Sequence, residues 1–260
     1  MIDLTALLAD LRAEGDLVDS WVADLDARGW AAPTPAAGWT VAHQIAHLAW
    51  ADEQALLATA DPAAFTAAVT SAFTSAPDPN RVVDDAAAHG ATRPDLLAHW
   101  RGTREALAAA LAAAPAGARL PWFGPPMSPA SMATARIMET WAHGTDIADA
   151  LGITREPSPR LKHVAHLGVR TRDFAYAIRG LPAPAAPFRV ELTGPDGELW
   201  TWGPEEAAQR VTGAAFDFCL LVTQRAHRAN TGLVAVGAEA DHWLGIAQAF
   251  AGPPGGGRAE

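Results

Sequence analysis

Two short segments gather the metal-ligating side chains of this chain. The first is His43-Gln44-Ile45-Ala46-His47, and the second is Glu139-Thr140-Trp141-Ala142-His143-Gly144-Thr145-Asp146. Helical residues four apart lie on one face, one turn apart, so Glu139 and His143 can reach a single ion together, as can His43 and His47. Asp146 follows His143 by three and shares its face. Two imidazoles and a carboxylate make a facial set suited to a divalent ion, with positions left open for water or substrate. Zn2+ is the first expectation; Fe2+ and Ni2+ can use the same donors. The same spacing also fits an ordinary helical Glu–His pair and satisfied core histidines, and at this point both readings stand. His163 and His166, three apart, are a weaker rival pair.

The elements that must position these groups follow from apolar periodicity. Leu4, Leu7, Leu8, Leu11, Leu17, Val18, Trp21 and Leu25 predict a helix over 3–28, interrupted at Gly15 and stopped by Gly29. Thr40 is a candidate N-cap for a second helix to about residue 59, which carries His43 and His47. Asp61-Pro62 opens a short helix or turn, and 77–80 reads as a loop. A third long helix, capped by Thr92, ends near Pro115. A fourth starts at Ser128 or Ser131, carries Glu139 through Asp146 and closes at Gly152; a fifth is expected over 159–178. Four long helices with short connections predict an up-down bundle.

After residue 180 the pattern changes. Gly180 to Pro187 holds three prolines and no charge, and reads as a linker. Residues 188–193 and 198–202 alternate at period two around Gly194-Pro195-Asp196-Gly197, which predicts a β-hairpin. Helices are expected near 204–211, 214–228 and 239–251. The chain therefore reads as mainly α: a helical bundle over 1–180, a smaller α+β domain over 185–252 and a disordered Gly/Pro-rich tail over 253–260.

Composition narrows the partners. The 260 residues can bury a core without staples. A net charge of −10 disfavours nucleic acid and anionic membrane surfaces. Cys219, the single cysteine, lies in the apolar run Phe218-Cys219-Leu220-Leu221 and reads as a small buried hydrophobe. A reducing cytoplasm fits, and the N-terminus lacks the basic and apolar regions of a signal peptide. Charge-free apolar runs fall short of a transmembrane span. The expected state is a cytoplasmic monomer or homodimer acting on a small molecule. Trp39, Trp50 and Trp141 are expected in the core, whereas Trp122 and Phe123, on the proline-rich loop 121–126, are candidate pocket walls for a cofactor or substrate.

Two segments also carry a family resemblance. Gly38-Trp39-Thr40-Val41-Ala42-His43-Gln44-Ile45-Ala46-His47-Leu48-Ala49 resembles the Trp-Thr…His-Leu signature of the mycothiol-dependent maleylpyruvate isomerase family, in the DinB-like superfamily. Arg136 to Gly152 looks like its second signature, Glu-x-x-x-His-x-x-Asp with a trailing Ala-Leu-Gly. The hairpin and 211–225 are similar to the C-terminal domain of that family. The resemblance implies a DinB-like four-helix bundle, with His47, Glu139 and His143 as metal ligands. It implies mycothiol as a thiol cofactor and Arg225 near the active site, where the guanidinium could bind a substrate carboxylate or instead form a surface or interdomain salt bridge. Asp146, by its place on the face of His143, could orient a ligand or equally be solvated. The family usually has an acidic residue four before the ligand histidine; this chain has His43 there. That leaves His43 as a partner of a ligand, an added ligand or a substrate contact.

The implied chemistry is addition of the thiol to an activated double bond, rotation, and loss of the thiol, with the metal favouring thiolate. Two other functions compete: a thiol-independent hydrolase using metal-bound water, and a non-catalytic metal or small-ligand binding protein. The isomerase or S-transferase needs added mycothiol, the hydrolase turns over without it, and the binding protein turns over nothing.

Overall fold

The Asp3 carboxylate accepts the backbone N–H groups of Thr5 and Ala6 and so starts the first helix, α1 (Leu4–Val22). In the computed structural model of the chain, which describes residues 3–75, 78–255 and 257–260, six more helices follow before residue 155. They are α2 (Ala27–Trp30), α3 (Val41–Ala60), α4 (Pro62–Ser75), α5 (Pro79–Ala91), α6 (Leu96–Ala113) and α7 (Pro129–Leu151). The expected bundle is formed by the long helices α1, α3, α6 and α7: α3 packs on α6 and α7, and α1 packs on α7 and α6. Val18, Ile45, Leu48, Leu111, Ile137 and Ile147 are fully buried between them. Each such side chain contributes roughly 1.5–3 kcal/mol as an upper estimate. Buried alanines on α3 let its neighbours approach closely; a Cβ on Gly90 of α5 would stand 2.9 Å from the Ala46 Cβ.

Buried charge also holds the bundle. Arg136 of α7 donates to Asp52 of α3 at 2.8 Å, and both side chains are buried. Arg155 pairs with the buried Glu14 of α1, donates to the Trp141 carbonyl, and lies over the rings of Trp21 and Trp141. Asp19 of α1 accepts from Arg101 and Arg104 of α6. The Arg101 hydrogen bond outweighs partial burial and holds the Asp19 carboxyl below its usual range.

Several boundaries differ from the sequence reading for local reasons. The expected first helix breaks after Val22, and Asp26 caps α2, accepting from the Gly29 N–H. Gly15 does not interrupt α1; it lies buried against Arg104, whose Nη1 would stand 2.6 Å from an added Cβ. Thr92 does not cap the third long helix, because its hydroxyl donates to the His89 carbonyl and α6 begins after Asp95. Within the expected loop 77–80, Pro77 lies outside the described residues, while Pro79 begins α5. Ser128 does cap α7, with Pro129 in its first turn and Gly152 ending it at φ 66°.

Contacts divide the chain into Met1–Arg155 and Glu156–Glu260. The second unit contains α8 (Leu161–Arg170), α9 (Arg172–Ala177), β1 (Phe188–Thr193), β2 (Leu199–Trp202), β3 (Gln209–Ala214), α10 (Ala215–Val222), β4 (Val234–Val236) and α11 (Ala238–Ile246). The sequence reading set a boundary at 180–185. The division instead falls before α8, because α8 packs on α10 and α9 packs on α11. The tail expected over 253–260 contains Gly256, which lies outside the described residues. Among the described residues, no helix is long and apolar enough to cross a membrane.

The sheet of this unit runs β2-β1-β3-β4. The predicted hairpin is present as the antiparallel β1–β2 pair, with Leu192 opposite Trp200. The helix expected over 204–211 is not formed: β3 begins at Gln209 and runs parallel to β1, with Val190 opposite Val211. Gly203 closes β2 at φ 80°, and an added Cβ would stand 1.9 Å from the Phe188 carbonyl oxygen. Gly197, in the hairpin turn, has φ 81° and open space around it. Backbone strain alone costs roughly 1–3 kcal/mol at either site. Gly203→Ala is therefore expected to lower the urea midpoint well beyond Gly197→Ala, and equal midpoints would refute the close approach.

Candidate metal centre

The ligand-type side chains meet inside the first unit because α3 and α7 face each other. His47 is two turns into α3, and Glu139 and His143 are one turn apart on α7. One ligating atom from each of the three lies within 4.8 Å of the other two. The Glu139 Oε2 atom stands 3.6 Å from His47 Nε2 and 3.3 Å from His143 Nε2. Metal–donor bonds of roughly 2.0–2.1 Å in a tetrahedron place neighbouring donors about 3.4 Å apart. The two separations bracket that value, so the residues fit a small divalent ion. The three side chains are 11–21% exposed, so one side of the cluster is reachable from solvent.

Electrostatics favour a cation here. Burial pushes the Glu139 carboxyl up, but the facing imidazoles of His143 and His47, with the charge of Arg136, outweigh it and hold the group well below the usual carboxylate range. The carboxylate is thus ionised at neutral pH.

Groups behind the candidate ligands fix their orientation. Gln44, fully buried on α3, has its Oε1 atom 2.5 Å from His143 Nδ1 and donates from Nε2 to Thr34 Oγ1 at 2.9 Å. The segment before α3 folds back on itself: Thr34 N–H and hydroxyl both donate to the Trp39 carbonyl, and Val41 N–H donates to that of Ala32. This turn seats the Trp39 indole beside the cluster, with ring centroids 5.4 Å from His47 and 6.0 Å from His143. Trp39 Nε1 donates to Asp84 of α5 at 3.0 Å.

The remaining expected residues separate into two groups. Trp50 lies 5.9 Å from the His47 ring and 5.9 Å from Phe123, so the aromatic wall continues from the ligands into the loop after α6. That loop is pinched by paired hydrogen bonds between Leu120 and Met127, and Trp122 stacks on Phe65 at 5.8 Å. Trp141 is in the core, as expected, but Trp39 and Trp50 are half-buried beside the ligands rather than within the core. His43 takes a capping role: its Nδ1 accepts from the Thr40 backbone N–H and lies 2.8 Å from the Thr40 hydroxyl. It is not among the three clustered ligands. Asp146 is buried on α7. Arg225 belongs to the second unit, where it donates to the Thr223 carbonyl at 2.7 Å. Residue type does not mark Gln44 in the sequence, because amides are poor ligands; its place three residues before His47 is the signal that does.

The fold and this cluster together define a helical-bundle protein with a candidate His–Glu–His metal centre. Residues 11–148 match the Mycothiol maleylpyruvate isomerase N-terminal domain, and the chain belongs to that family. Residues 184–235 match a second family, Wyosine base formation. Uncharacterized proteins from two strains of Mycobacterium tuberculosis are each 57% identical over 260 residues, covering 99% of this chain and 100% of theirs. A crystal structure of the mycothiol-dependent maleylpyruvate isomerase superposes with a TM-score of 0.60 at 16% identity, covering 90% of this chain and 93% of that one. A mutant of the same enzyme gives 0.59 with the same identity and coverage. The expected DinB-like architecture is thus the observed one.

Proposed function

We propose that this chain is a metal-dependent enzyme that uses a low-molecular-weight thiol, mycothiol or a close analogue, either to isomerise a small electrophile bearing a carboxylate or to transfer the thiol sulfur onto it. The observation that carries the reading is the His47–Glu139–His143 cluster, with donor separations of 3.3 and 3.6 Å, in a bundle of the mycothiol maleylpyruvate isomerase family. His47, Glu139 and His143 would hold the ion, whose chemistry when bound is to favour the thiolate form of the incoming thiol.

The protein's own groups do the rest. Glu139 supplies negative charge and Gln44 holds one ligand ring in place. Trp39 and Trp50 cover the flanks of the histidines and limit water around the reacting atoms. Phe123, in ring contact with Trp50, and Trp122 beside it are assigned to the wall that receives the cofactor. Cys219 is buried and takes no part.

The test is turnover of maleylpyruvate by the zinc-loaded protein with and without mycothiol. The expected result is isomerisation that requires the thiol and is lost in Glu139→Ala. Turnover of this or an ester substrate without thiol would favour the metal hydrolase. Thiol-dependent turnover undiminished in Glu139→Ala would remove the cluster from the mechanism.

A further inference from the structure

We infer that Gln44 and Thr34 form a one-way hydrogen-bond relay that selects the tautomer of His143 and aims its Nε2 lone pair at the cluster. The inference rests on the metal-dependent reading above and extends it to residues that touch no ion.

The direction of the relay follows from counting hydrogens. The Thr34 hydroxyl stands 3.0 Å from the Trp39 carbonyl, which can only accept, so the single hydroxyl hydrogen goes there. Thr34 Oγ1 is then an acceptor for its other neighbour, 2.9 Å away, which must be the Gln44 amide nitrogen. That fixes the Gln44 side chain with its carbonyl oxygen toward His143 Nδ1, and a carbonyl oxygen calls for a proton on that nitrogen. In the opposite amide orientation the hydroxyl would donate to Gln44, and two bare oxygens would face each other at the Trp39 carbonyl. With the proton on Nδ1, neutral His143 turns a lone pair on Nε2 toward Glu139 Oε2, 3.3 Å away. That contact is favourable in two forms: with a metal ion between the two atoms, or with a proton on Nε2 that the ring donates to the carboxylate, and metal binding displaces that proton.

The relay is anchored where it cannot easily relax. Gln44 is fully buried, and the Trp39 carbonyl is held by a second donor, the Thr34 N–H, at 2.8 Å. The same short turn that carries the Trp39 indole to the ligands therefore also sets the tautomer of one of them. Gln44 and Thr34 are positioning residues: they act through His143. Partners of this kind typically change metal affinity by roughly 10–100-fold.

The experiment is zinc affinity by chelator competition for wild type, Gln44→Leu, Gln44→Glu and Thr34→Val. It is combined with nitrogen-15 NMR of the histidine rings in the zinc-loaded proteins and thermal melts of all four. Wild type should show a slowly exchanging His143 Nδ1–H and coordination through Nε2. Gln44→Leu should lose about 10–100-fold in affinity and the slow exchange of that proton. Gln44→Glu, which keeps an acceptor, should recover most of the affinity, and Thr34→Val should show a smaller loss than Gln44→Leu. If Gln44→Leu fails to fold, Thr34→Val alone decides by the same two readouts. Zinc bound through His143 Nδ1, or wild-type affinity and exchange in the folded variants, overturns the relay while leaving the metal reading intact. Wild-type protein that binds no zinc overturns both.

Discussion

His47→Ala and His143→Ala are each expected to strip the purified protein of most of its zinc, measured by plasma mass spectrometry after dialysis. Each change removes one of three donors that the bundle brings within 4.8 Å, and the two that remain cannot enclose an ion from three sides. The loss should exceed the roughly 10–100-fold produced by removing an orienting partner. Glu139→Ala should bind as poorly, because the ionised carboxylate is the only negative charge in the set. Affinity in the wild type should fall as pH drops, since protons compete for the imidazole nitrogens. His43→Ala should retain zinc, because the Nδ1 of that ring is engaged at the start of α3. Full zinc occupancy in both His47→Ala and His143→Ala would refute the centre; loss in His43→Ala as deep as in His47→Ala would mean the ligand set is misassigned.

The largest stability effect is expected at Arg136, whose guanidinium is 1% exposed and donates to a buried Asp52. Removing one partner of a buried pair costs about 3–5 kcal/mol, because the other is left as an uncompensated charge. Arg136→Met should lower the urea midpoint accordingly at neutral pH. The pH dependence has a definite sign. Burial pushes the Asp52 carboxyl up even against the opposing pull of Arg136. Without Arg136 the groups left to oppose that push are the Trp100 hydrogen bond and the charge of Arg104, both smaller than the pull of Arg136, so folding then favours the protonated acid more strongly. The deficit of Arg136→Met should therefore shrink as pH falls toward the carboxylate range and be greatest well above it. The double variant Arg136→Met with Asp52→Leu should recover much of the loss, since apolar replacement of a whole buried pair is often neutral or better. A deficit that stays constant with pH would mean that lost packing, not stranded charge, sets the cost.

Legibility in the sequence tracked how local each feature is. Helices α3 and α7 were readable because their caps and apolar stripes lie within a few residues: Thr40, Ser128 and Gly152 are where the termini fall. The clustering of His47, Glu139 and His143 is legible from i, i+4 spacing plus two signature segments on separate helices, although spacing by itself does not choose between an ion and a core pair. Non-local features were hidden. The stretch around Glu205-Glu206-Ala207-Ala208 has helix-forming residues, yet the chain there runs into β3, whose partner β1 lies about twenty residues earlier and is paired in parallel. The role of Gln44 depends on a turn that folds Thr34 against Trp39 and on α7 lying across α3, neither of which a pattern within α3 reveals. Tryptophans misled in a similar way: Trp39 and Trp50 read as core by type, but positions facing the histidines are core only on one side.

The ligands of the candidate centre come from two helices separated by most of the unit: His47 on α3, Glu139 and His143 on α7. The unfolded chain does not hold these donors together, so an ion bound here binds the folded state alone. Mass action then ties the stability of the bundle to the supply of free metal, by about 2.7 kcal/mol when the ion is at a hundred times its dissociation constant. The site would act as a clamp across the α3–α7 seam, and the melting temperature of this protein would serve as a gauge of metal availability.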